Sequence, residues 1–115
     1  MSVSEIEFRV SKLVASLMQE SQSYVPPEGS SVVISEFSAE AAYDRDIEVA
    51  IIWDFEGEDE DFLWTVKGSG SLKQRIEIPA EEVDGVKKLA LILDNGTISE
   101  LTMSASMTIL VDIDE

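Results

Sequence analysis

Histidine and cysteine are both absent from the chain. Their absence removes most of the side chains that do acid–base, nucleophilic or zinc chemistry near neutral pH. Serine is plentiful, but without histidine it cannot be activated as in a catalytic triad. Disulfides are excluded as well, which fits a reducing compartment without requiring one. Basic residues are scarce: 8 Lys and Arg stand against 24 acids, a formal charge of −16, and they are scattered from Arg9 to Lys88. Phosphate contacts need clustered bases, so nucleic acid is not expected as a direct ligand, and anionic membranes are disfavoured for the same reason. No stretch approaches the roughly 20 apolar residues of a membrane span. The opening Met1-Ser-Val-Ser-Glu-Ile-Glu7 also lacks the basic start and apolar block of a signal peptide. A soluble protein, not exported by a cleaved signal of that kind, is expected.

What is present bounds the class. Apolar residues make up 44% of the 115 positions, too many for a disordered acidic tail. A single domain over 1–115 is the natural reading, and a chain of this length buries roughly two-thirds of its unfolded surface. Self-repulsion at −16 destabilises the fold in dilute salt, whereas concentrated salt screens it. Few lysines, many carboxylates and much Ser, Ala and Val fit a protein adapted to a salty interior; an ordinary acidic domain is the alternative.

Two periodicities divide the chain. Val3, Ile6, Val10, Leu13, Val14, Leu17 and Met18 recur at three- and four-residue spacing, which predicts an amphipathic helix and linker over 1–25. Ser4 with Glu7 makes a capping-box pattern, and Pro26-Pro27 forbids continuation. Ile6-Glu-Phe8-Arg-Val10 also alternates like a short strand. Packing against a sheet or docking in a partner's groove would each account for such a helix. From residue 31 onward the pattern predicts an antiparallel β-sheet or sandwich of about six strands. These are 32–41, 46–55, 62–67, 74–78, 88–93 and 101–113, with a flexible or bulged Gly68–Ser71 and a helical turn or loop over 80–86. Asp94-Asn95-Gly96 reads as a type I′ hairpin turn. In the last segment Leu101, Met103, Ala105, Met107, Ile109, Val111 and Ile113 alternate with Thr, Ser and Asp, so one face meets a core. That strand is long enough to project past its neighbours, and Leu101, Met103, Met107, Ile109, Val111 and Ile113 are therefore candidates for either core or partner-binding residues.

The densest charged motif is Asp54-Phe-Glu-Gly-Glu-Asp-Glu-Asp61, six acids in eight residues. Hard cations prefer such oxygen ligands, so Asp54, Glu56, Glu58, Asp59 and Asp61 are candidates for weak Ca²⁺ or Mg²⁺ association at most. The spacing is not that of an EF-hand loop, and a solvated hairpin tip explains it equally. Carboxylate catalysis needs two acids facing each other in an apolar cleft, whereas these lie in runs or at strand ends. No phosphate-binding glycine loop is present. Trp53 and Trp64 read as core residues, one of them with a partner for its indole N–H.

No catalytic residues, no enzymatic activity and no resident cofactor are therefore expected. The leading expectation is a structural or assembly protein with protein partners, a homo-oligomer or part of a larger particle. By architectural analogy alone, small acidic sandwich subunits look like capsid-decoration, head–tail joining or tail proteins of tailed viruses, here from a halophilic host. Its location would then be the virion, otherwise the cytoplasm. The alternative is an acidic inhibitor that imitates nucleic acid and occupies a basic channel in a DNA-binding or defence protein. A calcium-stabilised ligand-binding sandwich is a third.

Overall fold

The computed structural model describes residues 2–41 and 47–113. The expected strand start at Asp46 lies outside these residues. Strands β1 (Ser2–Val14), β2 (Gln19–Tyr24), β3 (Ser31–Ala41), β4 (Ile47–Trp53), β5 (Asp61–Lys67), β6 (Gly70–Ser71), β7 (Ile76–Ile78), β8 (Leu89–Asn95) and β9 (Leu101–Ile113) follow one another along the chain, with one 3-10 turn at Ala80–Glu82. They form two antiparallel sheets, β1-β9-β3 with β6 and β7 both paired to β3, and β2-β8-β4-β5. Treating β6 and β7 as two halves of one broken strand, this is the strand order of a jelly roll, with eight strand positions in two facing sheets.

The mainly β, two-sheet expectation therefore stands, but the N-terminal helix does not form. Residues 2–14 and 19–24 are strands, and with the short β6 they raise the strand number among the described residues from about six to nine. The reason is a coincidence of period. Ile6, Val10 and Val14 satisfy both a spacing of four and a spacing of two. Burial separates the two readings: Val10 and Val14 are buried, Ile6 and Phe8 pack against the same core, while Val3, Leu13, Leu17 and Met18 are 58–66% exposed. The residues that only a helical stripe would have buried are those left in water. The capping box is likewise absent, since Glu7 pairs with Arg9 instead.

Between the sheets lies one apolar core. Val32, Ile34, Val49, Ile51, Leu91, Leu93, Met103, Met107 and Ile109 are at most 1% exposed, and each such side chain contributes roughly 1.5–3 kcal/mol. The register alternation survives in β3 and β5 only through bulges. In β3 the inward residues switch from Val32 and Ile34 to Phe37 and Ala39, because Ser35 is the extra residue between Ile34 and Glu36. In β5, Leu63 is the extra residue, so that Phe62 pairs with Ile52 and Trp64 with Ile51. Phe8 and Tyr24, 5.7 Å apart, link the β1 and β2 edges. Phe37 and Trp64, 4.6 Å apart and edge-on, do the same for β3 and β5.

The last strand keeps its alternation, but it is not a projecting edge. β9 pairs with β1 on one side and β3 on the other. Leu101, Met103, Met107, Ile109 and Val111 are buried, and Ile113 is half-buried. These side chains belong to the core, not to a docking strand. The final alternating acid, Asp114, lies outside the described residues.

Asp94-Asn95-Gly96 is not a hairpin turn either. β8 and β9 lie in different sheets, and neither Asn95 nor Gly96 takes a positive φ. Asn95 is instead fully buried. Its amide donates to the carbonyls of Val14 (3.0 Å), Ala15 (3.3 Å) and Ser99 (2.8 Å), and its Oδ1 accepts from the Thr97 N–H (3.0 Å) and hydroxyl (2.6 Å). Its backbone N–H also donates to the Met18 carbonyl at 3.0 Å. One side chain thus ties the β1–β2 turn to the β8–β9 loop. Asn95→Ala leaves those carbonyls without a donor and should cost about 2–4 kcal/mol, read as a lower urea midpoint with an unchanged slope.

Candidate interaction surfaces

The acidic loop between β4 and β5 organises itself. Asp54 and Glu56 both take positive φ, 56° and 65°, which for residues other than glycine is strained. The strain is held by the acids themselves. Asp54 Oδ2 accepts from the Asp59 N–H at 2.9 Å, and the Asp54 carbonyl accepts from the Gly57 N–H at 2.8 Å. Glu60 Oε2 accepts from the Glu56 N–H at 2.9 Å. A Cβ on Gly57 would lie 2.1 Å from Asp54 Oδ1, so only glycine fits beside this carboxylate. Lys88 sits 3.7 Å from Glu56 and 6.0 Å above the Phe55 ring, and Lys87 lies 3.9 Å from Asp59. Of the expected cation ligands, Asp54 is therefore engaged with backbone, Glu56 and Asp59 face lysines, and Glu58 and Asp61 are exposed. Among the described residues no three acids converge in a way that could hold a metal ion.

The outer faces differ. Outside the β1-β9-β3 sheet, hydroxyls meet across strands: Ser11 with Ser104 at 3.0 Å, Ser38 with Ser106 at 2.9 Å. Glu5, Glu7, Glu36 and Glu40 flank them. Outside the other sheet, Ala50, Ile52, Ala90 and Ile92 form a small second apolar cluster with Phe55 against it. β4 is thus buried on both faces. Trp53 is buried, with its Nε1 lacking a partner among the described residues, while Trp64 is only half-buried.

Two features escaped sequence reasoning. At one end of the sandwich, the end of β1, the β1–β2 turn and the β8–β9 loop expose Leu13 (58%), Leu17 (66%), Met18 (58%) and Ile98 (89%). Leu17 is held at φ 60°, with its N–H donating to the Thr97 carbonyl at 3.1 Å. The legible signal was an isoleucine two residues beyond an Asn-Gly. Along the β5 and β6–β7 edges, Leu63, Trp64, Leu72 and Ile76 line a groove of about 410 Å³ whose other walls are Lys73, Gln74 and Arg75. Among the described residues neither Lys73 nor Arg75 is in an ion pair, and both are exposed. The two bases in one short segment of so acidic a chain were visible in the sequence, but not their lack of acidic partners.

No protein-family model matches the chain, and no curated protein matches it in sequence. Solved structures do share its fold. A protein of Bacillus endospore appendages, which form a family of disulfide-linked pili, superposes with a TM-score of 0.57 at 11% identity, over 98% of this chain and 90% of that one. A chain of infectious bursal disease virus, strain Gx, gives 0.53 at 14% identity over 97% of this chain, which spans only 32% of the viral chain. The Yersinia pseudotuberculosis-derived mitogen gives 0.50 at 7% identity, with 97% and 88% covered. At such identities the likeness is one of fold.

Two measurements check these surfaces. Ca²⁺ added to chelated, desalted protein should raise the melting temperature no more than a monovalent salt of equal ionic strength, since a bound ion would shift it by mass action. Asp84, whose carboxylate accepts from the Val86 (2.9 Å) and Lys87 (3.0 Å) N–H groups, is held below the usual 3.8 mainly by the Val86 bond. A depressed carboxylate adds stability that is present above its unfolded pKa and lost as pH falls through the lower folded value. Carboxyl-carbon NMR titration should place the Asp84 midpoint below that of free aspartate, and Asp84→Asn should flatten the acid limb of stability below pH 3.8.

Proposed function

We propose that the chain is a non-enzymatic structural subunit that assembles with protein partners, as a homo-oligomer or within a larger particle. The observation that carries this reading is the jelly-roll sandwich spanning nearly the whole chain, as it does in the Bacillus pilus protein (98% and 90% covered). The same sandwich occurs within the infectious bursal disease virus chain. Support also comes from the surface of the described residues, which presents broad hydroxyl, acidic and apolar areas. Assembly depends on area and register more than on any single site. The disulfide linkage of those pili has no counterpart here, because the sequence contains no cysteine, so contacts between subunits would be non-covalent. The finer reading is a small virion subunit of a tailed virus from a halophilic host, acting in capsid decoration, head–tail joining or the tail.

The imitation of nucleic acid fits less well. Duplex phosphates rise regularly along a groove, whereas acids here occupy the outer face of one sheet (Glu5, Glu7, Glu36, Glu40), the other sheet (Glu48, Asp94) and the 54–61 loop. Charge spread over every exposed face is what solvation in concentrated salt requires. Absolute mass by light scattering after size exclusion, in dilute and in multimolar potassium chloride, tests the proposal. A defined oligomer that forms or persists in concentrated salt is expected. A folded monomer indifferent to salt would refute assembly by this chain alone and favour the inhibitor.

A further inference from the structure

We infer that the apolar tip of one copy docks in the basic-walled groove of a second copy, an inference that rests on the assembly reading above. The two surfaces match in chemistry. The tip offers Leu17, Met18 and Ile98, all more than half exposed. The groove offers Leu63, Trp64, Leu72 and Ile76 as apolar walls. Apolar side chains gathered on two adjoining loops mark an interaction site more often than singly scattered ones do. The loops carrying the tip are not loose: Asn95 bonds to both, and the Leu17 N–H is fixed to the Thr97 carbonyl. Leu17 is kept in a left-handed conformation that leucine disfavours, and in it the side chain stands in water.

Charge selects the occupant. Lys73 and Arg75 beside the groove have no acidic partner among the described residues of their own chain. The tip is flanked by Asp94 and Glu100, which also make no ion pair among the described residues. A second copy supplies both the apolar knob and acids for those two bases. Opposite potentials across such a contact steer encounter and fix register, while the desolvated apolar centre carries the affinity. The tip and the groove are different surfaces, so the contact is heterologous. Repeated, it builds a ring or an open filament, not an isologous dimer.

The test uses two variants of the full chain and sedimentation velocity, in the lowest salt at which the wild type associates, where the charges at the groove are least screened. Leu17→Asp with Ile98→Asp alters the tip alone; aspartate tolerates the left-handed region better than leucine. Lys73→Glu with Arg75→Glu alters the groove alone. All four side chains are exposed except at their attachment, so circular dichroism and melting should match wild type. Each variant alone is expected to sediment as a monomer. Mixed, they should form a one-to-one dimer and nothing larger, because the groove of the first and the tip of the second remain intact. If the wild type associates and both variants associate equally well, the tip–groove contact is wrong while the assembly reading stands. If mixing restores nothing, the contact is not heterologous and the inference fails. A wild type that stays monomeric across all concentrations and salts overturns both.

Discussion

Everything in this molecule depends on keeping one side of each strand against the opposite sheet. Two sheets facing each other must present matching apolar surfaces, and a slip of one residue turns a strand inside out. β9 meets the condition by unbroken alternation, with Leu101 to Val111 inward and Thr102, Ser104, Ser106 and Thr108 outward. β3 and β5 meet it differently, each inserting one residue to recover the correct side after its hydrophobic pattern changes parity. Glycine serves the same constraint where the sheets come together at their edge. A Cβ on Gly70 would lie 2.5 Å from Val66 Cγ2, so only a residue without one lets β6 approach β5.

The charge is arranged around that apolar layer. Among the described residues, only Ser30, Asp54 and Asn95 are polar and buried, and each has a hydrogen-bond partner. Ser30 donates to the Pro27 carbonyl at 2.6 Å, Asp54 accepts the Asp59 N–H, and Asn95 is bonded on both sides of its amide. Acids elsewhere face water, where like charges repel weakly and salt weakens them further. The 54–61 loop places six acids together and still folds, because two of those carboxylates replace backbone partners for N–H groups and two lysines from the neighbouring loop stand opposite. Within this run, Asp54 and Glu60 cap their own turn.

The β-rich architecture was legible from residue 31 onward, where period-two patterns and the acidic turn mark strands that the structure places within a few residues. What misled lies at points where one pattern serves two geometries. Ile6, Val10 and Val14 sit at a spacing common to helix and strand, and only tertiary burial decides between them. Asn95-Gly96 carries the composition of a tight hairpin, but the Asn side chain found five backbone and side-chain partners, and that long-range network outweighed the local turn preference. Strand β6 was invisible because two residues, Gly70 and Ser71, have no periodicity to read. The interaction surfaces were the least legible part. An exposed leucine and a core leucine look alike in a sequence, and the groove exists only once β5 and the β6–β7 segment lie side by side.

The pairing of the first strand with the last sets the order in which the protein can come into being. Val14 pairs with Leu101 and Ser2 with Ile113, and β9 is also the strand that joins β1 to β3. On a ribosome, β3 can pair with β6 and β7 as soon as these emerge, but β1, whose one sheet neighbour is β9, waits for that final strand as an unpaired, half-apolar ribbon. Contacts between such distant segments make folding slow relative to local structures of similar size. During that wait the surplus of carboxylates acts on the unfolded chain, where mutual repulsion between nascent copies opposes the edge-to-edge pairing that waiting strands invite.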